Sequence, residues 1–245
     1  MGTGKIARCV FPPMKVTCNS PLFRLISVPA MLLTSSAASG LELHTGTSIT
    51  TDYVWRGTSQ TLGDPAVQAS FKVSAPAGWH ASAWGSNVDF GPAAGANTEF
   101  DFVAGWSGAL SDDWALDINL THYRYPSSAV PLNWTELDTT LTWKQNYWLL
   151  VGHSNDALAT DANGTYVQIG AKLPLGERYR LEGTLAHYAL SAFDDGYSHA
   201  GLSAVWTLKA PFELRVTAHD TNSSAKQIFP DLAGSRIEAA IQASF

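Results

Sequence analysis

Cysteine is nearly missing from this sequence. Cys9 and Cys18 are its only two. From residue 40 onward the chain can therefore build neither a disulfide framework nor a thiolate metal site. Long hydrophobic runs are missing as well. No eighteen consecutive apolar residues occur, so no transmembrane helix is written here. Charge is sparse, at 15% of residues, and its sign is uneven. All 21 acidic residues but only 11 of the 15 basic ones lie beyond residue 39, a net of −10 with His neutral. That balance argues against nucleic acid as a partner. The seven His are scattered without metal-ligand spacing, and there is no Gly-x-Ser-x-Gly elbow or phosphate loop. No metal, no cofactor, no catalytic residue and no enzyme activity are expected.

The N-terminus has the order of an export signal. Lys15 and Arg24 are basic, residues 25–33 are apolar apart from Ser27 and Pro29, and small residues follow at 34–40. Residues 1–39 are expected to be a leader, cleaved after Ala38 or Ser39. Met14 is a candidate for the true start, because a signal beginning at Met1 would be long. Residues 40–245 are then the exported domain.

From Leu41 onward, apolar residues recur with period two and almost never with period 3.6. Leu43, Thr45, Thr47, Ile49, Thr51, Tyr53 and Trp55 share one side of the first run. Similar runs follow, among them Val67/Ala69/Phe71/Val73, Phe100/Phe102/Ala104/Trp106 and Ile237/Ala239/Ile241/Ala243/Phe245. Residues 78–90 and 147–155 alternate less cleanly. The count is about twelve strands, most of them ten to thirteen residues long. A tilted strand needs ~9–11 residues to cross a bilayer, whereas globular strands average ~5–6.

Connections alternate between long (near 58–65, 87–98, 126–133, 154–164, 191–197 and 220–234) and short (near 76–78, 111–113, 145–146, 174–178 and 209–211). Outer-membrane barrels sort their loops this way, with short periplasmic turns and longer external loops. Aromatics recur where strands end: Tyr53, Trp55, Trp79, Trp114, Tyr123, Tyr125, Trp134, Trp143, Tyr147, Trp148, Tyr179, Phe212 and Phe245. Interfacial girdles would place them there. The fold class expected is all-β: a transmembrane, antiparallel, up-and-down β-barrel of about twelve strands. An open sheet edge is excluded in hydrocarbon, where unpaired N–H and C=O groups meet no water.

The block Asp52-Tyr-Val-Trp-Arg-Gly-Thr-Ser-Gln-Thr61, with Pro65-Ala-Val-Gln68 and Trp84-Gly-Ser-Asn-Val-Asp-Phe90, resembles the TorF family of outer-membrane porins. That family is also known as the Gcw_chp group of uncharacterised bacterial proteins. Tyr123-Arg-Tyr-Pro126, His219-Asp-Thr221 and the terminal strand extend the resemblance over the whole exported domain. It implies an outer-membrane barrel with a pore function and no catalytic residue. Terminal Phe245 then reads as the signal for the barrel-assembly machinery.

If the apolar set faces lipid, the alternate set lines the lumen. Those residues are Asp52, Arg56, Lys72, Asp101, Asp117, Glu136, Asp138, Lys144, Lys172, Arg180, Glu182, Lys209, Glu213, Arg215, Arg236 and Glu238. Arg180, Arg215 and Arg236 with Glu182, Glu213 and Glu238 read as one charge ladder near the periplasmic end. Arg56 is expected either to bind an anion at the external mouth or to pair with Asp52 or Asp89, with Gly57 making a turn. Gly152-His-Ser-Asn-Asp156 holds the residue types of a lipid-hydrolase triad, but adjacent strand residues face opposite ways.

The expected function is passive passage of small hydrophilic solutes or ions across the outer membrane of a Gram-negative bacterium. The alternative is a closed structural or interaction barrel. Expected partners are outer-membrane lipid, the assembly machinery and small solutes or ions; oligomeric state is left open.

Overall fold

A period-two pattern sustained through a whole domain leaves each strand with one apolar and one polar face, and closure is the arrangement that hides every sheet edge. The computed structural model describes residues 40–245 and shows that closure. The leader expected over residues 1–39 lies outside the described residues.

The strands are β1 (Glu42–Thr50), β2 (Val54–Trp55), β3 (Thr58–Ser59), β4 (Ala66–Ser74), β5 (Trp79–Asn87), β6 (Thr98–Ala109), β7 (Trp114–Arg124), β8 (Trp134–Trp143), β9 (Tyr147–Ser154), β10 (Gly164–Leu175), β11 (Tyr179–Leu190), β12 (Asp195–Lys209), β13 (Phe212–Thr221) and β14 (Arg236–Ser244). A short helix α1 (Ser223–Ile228) precedes β14. β1 and β4–β14 form one closed antiparallel barrel of twelve strands, each paired with its neighbours in sequence. β1 closes it by pairing with β4 on one side and β14 on the other, Thr47 lying opposite both Ala69 and Ala243. Phe245 adds two backbone bonds to Thr45, at 2.8 and 2.9 Å.

Faces sort as the alternation requires. Val67, Leu120, Ile169, Leu185, Leu202 and Ile241 point outward and stay exposed, while Glu99, Glu136, Tyr166, Ser203 and Thr217 in the opposite phase are buried. An apolar outer belt around a polar interior inverts the arrangement of a water-soluble domain and matches hydrocarbon outside. Among the described residues no helix is long and apolar enough to cross a membrane.

One barrel end carries short turns, at residues 75–78, 110–113, 144–146, 176–178 and 210–211. Five of the six connections at the other end are longer: 51–65, 88–97, 125–133, 155–163 and 222–235. The sixth departs from expectation. The loop foreseen near 191–197 shrinks to 191–194, because the 3-10 turn Ser191–Phe193 lets β12 begin at Asp195.

The exposed strand-end aromatics gather chiefly at the short-turn end, with Phe100, near the start of β6, exposed toward the other. Trp79, Trp114, Trp143, Tyr147, Tyr179, Phe212 and Phe245 are exposed at the short-turn end. Trp114 faces Trp143 in register, and Trp143 lies 5.3 Å from Tyr147. At the long-loop end Tyr53, Tyr123 and Trp134 are buried and Trp55 and Tyr125 are half-buried, while Trp148, beside the short turn 144–146, is half-buried at the other end. Most of these aromatics are turned inward, and the reason lies in residues 51–65.

Candidate functional site

The first run was expected to continue as one strand through Trp55. Instead β1 stops at Thr50, and the chain folds into the barrel as the hairpin β2–β3. Val54 pairs with Ser59 and Trp55 with Thr58, leaving Arg56-Gly57 as a two-residue turn. Both turn residues have positive φ, +49° and +80°, the signature of a type I′ turn. Gly57 meets that requirement without cost; Arg56 does not, and a bulky residue is held there only when its surroundings over-determine it. A Cβ on Gly57 would also lie 2.7 Å from the His199 Cβ.

Those surroundings are a cage for the guanidinium. Arg56 Nη1 and Nη2 donate to Glu136 Oε1 and Oε2 at 3.0 and 2.6 Å, a bidentate fork. Asp138 Oδ1 lies 3.6 Å from Nη2. The guanidinium carbon sits 3.9 Å from the Tyr166 ring centre, 4.4 Å from Trp55 and 4.7 Å from Tyr188. The side chains of Arg56 and Glu136 are 7% and 0% exposed, so the pair is withheld from water. Breaking such a pair by deleting one partner costs about 3–5 kcal/mol, and cation–π contacts with desolvated rings add about 1–2 kcal/mol each. Gly152 on β9 makes the cage possible: a Cβ there would come within 2.5 Å of Asp138 Oδ1 and 3.0 Å of Glu136 Oε1.

The rest of the hairpin is fastened by its own polar groups. Asp52 accepts from Ser59 Oγ at 2.6 Å, Thr61 Oγ1 at 3.1 Å and Arg236 Nη1 at 2.7 Å. Gln60 Nε2 donates to the Thr58 carbonyl at 3.0 Å. Tyr197 Oη donates to the Arg56 carbonyl at 3.0 Å, and the Ser59 N–H to Leu232 O at 2.9 Å. This bonding explains how Thr58, Ser59, Gln60 and Thr61 are all buried despite being polar. Tyr53 packs on Trp84 at 5.2 Å, and Tyr123 stacks on Trp134 at 4.3 Å beside Trp55. Tyr125, just past β7, donates to Glu99 at 2.6 Å. Burial and the Glu99 charge push its phenol well above the usual tyrosine range.

Below the hairpin tip the barrel holds a chamber of about 420 Å³, lined in part by Trp55, Arg56, Asn119, Asp138, Gln168, His199 and His219. Toward the short-turn end, four charges on β11 and β13 join into a chain. Arg180 bonds Glu182 at 2.7 Å and Glu213 at 2.6 Å, and Arg215 bonds Glu182 at 2.7 Å. These strands both flank β12, so the ion pairs run along the wall and do not bridge the barrel.

The expected single ladder is therefore divided. Arg236 and Glu238 begin β14 at the opposite, long-loop end, where Arg236 holds Asp52 and Glu238 meets His219 at 3.0 Å. Antiparallel reversal causes the split: β11 and β13 leave the short-turn end, while β14 arrives there.

Lys72, Asp101, Asp117 and Lys172 lie on the inward phase, Lys172 in register with Glu182 and Asp101 with Trp84. Lys144 and Lys209 leave the lumen set. Lys144 is in a turn with its ammonium 5.0 Å from the Trp143 ring centre, and Lys209 is exposed beside a register shift at the end of β12. Arg56 is not at an open mouth and pairs with neither Asp52 nor Asp89. His153 is exposed, while Ser154 is buried and donates to the Thr135 carbonyl, so the two side chains diverge as strand geometry requires.

Sequence reasoning missed Tyr166, Tyr188, Tyr197 and His199 as a group. Their one visible signal is that each falls on the polar phase of its strand, where a large aromatic has no lipid to face.

The model of one protein family, described as bacterial protein of unknown function (Gcw_chp), matches residues 34–245. The chain belongs to the Gcw_chp family. No curated protein matches it in sequence. Solved structures match this Gcw_chp barrel in fold. One is a KdgM porin in complex with disordered oligogalacturonate, with TM-score 0.53 and 7% identity over 83% of this chain and 98% of its own. The NanC porin gives 0.52 at 10% identity, over 83% and 99%. The COG4313 outer membrane channel from Pseudomonas putida F1 gives 0.50 at 8%, over 86% and 97%. At such identities the likeness concerns the fold: the Gcw_chp chain has the architecture of outer-membrane porins and channels.

Proposed function

We propose that the protein is an outer-membrane channel for small hydrophilic solutes or ions, in keeping with its resemblance to the TorF porins, and that it is not an enzyme. The observation that carries this reading is the kind of element that fills the lumen. Strand-to-strand ion pairs stay on the wall, and the group inserted into the passage is a loop hairpin, β2–β3, above a polar chamber. A loop held by side-chain bonds and by backbone bonds to other loops, Ser59 to Leu232 and Asp89 to Gln60, can move without breaking a barrel strand, whereas a plug made of strands cannot.

Asp52, Arg56, Lys72, Asp101, Asp117, Glu136, Asp138, Lys172, Arg180, Glu182, Glu213, Arg215, Arg236 and Glu238 are the pore-lining groups in this reading, and their balance of charge sets ion preference. Export by a leader over residues 1–39, contact with outer-membrane lipid and recognition of Phe245 by the assembly machinery belong to the same proposal. Deleting Phe245 is expected to lower the folded fraction in cells.

Planar-bilayer recording of the purified protein tests the channel. Discrete ohmic steps are expected. Silence at every voltage, with a folded barrel verified by its heat-dependent gel shift, overturns it. A second reading, a closed structural barrel, draws on the Arg56 latch itself. It expects silence in the wild type and current only when the latch is cut.

A further inference from the structure

We infer that the wall side of the Arg56 cage is a receptor for organic cations of the guanidinium class, and that Arg56 is its tethered occupant. This rests on the channel reading for its physiological meaning, but the binding claim stands on the cage alone.

Chemical complementarity carries the inference. Glu136 presents both carboxylate oxygens as acceptors for the two donating ends of a guanidinium fork. Tyr166 and Tyr188 supply ring faces within 5 Å of the cation, and both belong to barrel strands. Asp138 Oδ1 is buried without a hydrogen-bond partner, and the Tyr188 hydroxyl is likewise unpartnered. The receptor therefore has bonding capacity that Arg56 does not use. Four of the five groups around the guanidinium (Glu136, Asp138, Tyr166 and Tyr188) stay with the wall if the hairpin withdraws; only Trp55 travels with Arg56.

Charge on the surrounding wall points the same way. The inward positions of β6, β7 and β8 include Glu99, Asp101, Asp117, Glu136 and Asp138, and no Lys or Arg. Arg56 is the cation that this acidic wall holds. If the hairpin leaves, the carboxylates face the lumen without it, and an arriving cation replaces the lost charge. An anion gains nothing there, and a small inorganic cation cannot fill the fork or cover the rings. A guanidinium solute competes with Arg56 for the same seat, so its arrival favours the withdrawn hairpin.

The test is chemical rescue. Arg56→Ala empties the seat, and methylguanidinium is the free equivalent of the missing side-chain end. In detergent micelles, millimolar methylguanidinium chloride is expected to raise the Tm of Arg56→Ala saturably, by a few degrees, where sodium chloride at equal strength does not. Arg56→Ala/Glu136→Gln removes both charges of the pair and is expected to lose the response. No rise in Arg56→Ala, or an equal rise in the double variant, overturns the inference. Should Arg56→Ala fail to fold, Arg56→Lys keeps a cation opposite Glu136. Methylguanidinium must then raise its Tm more than that of wild type, and an equal response overturns the receptor. Current without rescue removes the receptor and leaves the channel. Rescue without current does the reverse.

Discussion

Replacing Glu136 by Gln is the perturbation that probes the latch most directly. The substitution keeps the shape of the side chain and removes its charge. Glu136 is 0% exposed at its side chain and accepts both forks of Arg56. Loss of one partner from a buried pair costs about 3–5 kcal/mol. Asp138, at 3.6 Å from Nη2, takes up part of the stranded charge, so the net loss at the hairpin tip is about 2–3 kcal/mol. At 1.4 kcal/mol per factor of ten, the ratio of latched to released tip falls about 30- to 150-fold.

Two assays read that ratio independently. In proteoliposomes, trypsin added at the long-loop side should cut after Arg56 in the variant and spare that bond in the wild type, releasing a product that begins at Gly57. In planar bilayers, the variant should spend more time in its larger conductance state. Trypsin resistance equal to the wild type, together with unchanged current, would refute the latch. The folded barrel itself should persist, because Asp52 and Arg236 fasten the hairpin base on their own.

Four further outcomes follow from named geometry. Gly57→Ala places a Cβ 2.7 Å from His199 Cβ at a φ of +80°; a loss of at least about 1 kcal/mol is expected in detergent melts, with easier cleavage at Arg56. Arg180→Ala frees Glu213 from its cation in a half-exposed pair; stability should fall by only about 1 kcal/mol, while the reversal potential in a salt gradient moves toward cations. Leu185→Arg puts a charge on the outward face at mid-strand, where Leu185 is 60% exposed; folding into vesicles should weaken by about 2–4 kcal/mol. Thr184→Arg, one residue away and lining the other face, should show no such penalty and should narrow the conductance.

The candidate site was only partly legible. Arg56-Gly57 stood out in the sequence, as did the acidic and basic residues of the polar phase. Their partners did not. Glu136 is 80 residues from Arg56, and Asp52 is 184 from Arg236. Nothing local in a strand names the residue that faces it across an enclosed space. The aromatics misled for the same reason. Trp79 and Tyr123 both lie near strand ends, yet one points outward and is exposed while the other is buried against the hairpin. Only phase against the apolar set separates them, and in the run that holds Tyr53 and Trp55 the phase is lost once the chain turns inward.

By itself the sequence determined the barrel: alternating side chains, strand lengths, turn spacing and the closing strand at Phe245 are local properties, each readable within a dozen residues. The tertiary structure alone decided that residues 51–65 fold inward and that Arg56 finds its seat on Glu136, Tyr166 and Tyr188. The physical reason is burial. A guanidinium with positive φ beneath it is stable only where distant strands bring carboxylate and ring faces together out of water, and that meeting exists only after the sheet has closed.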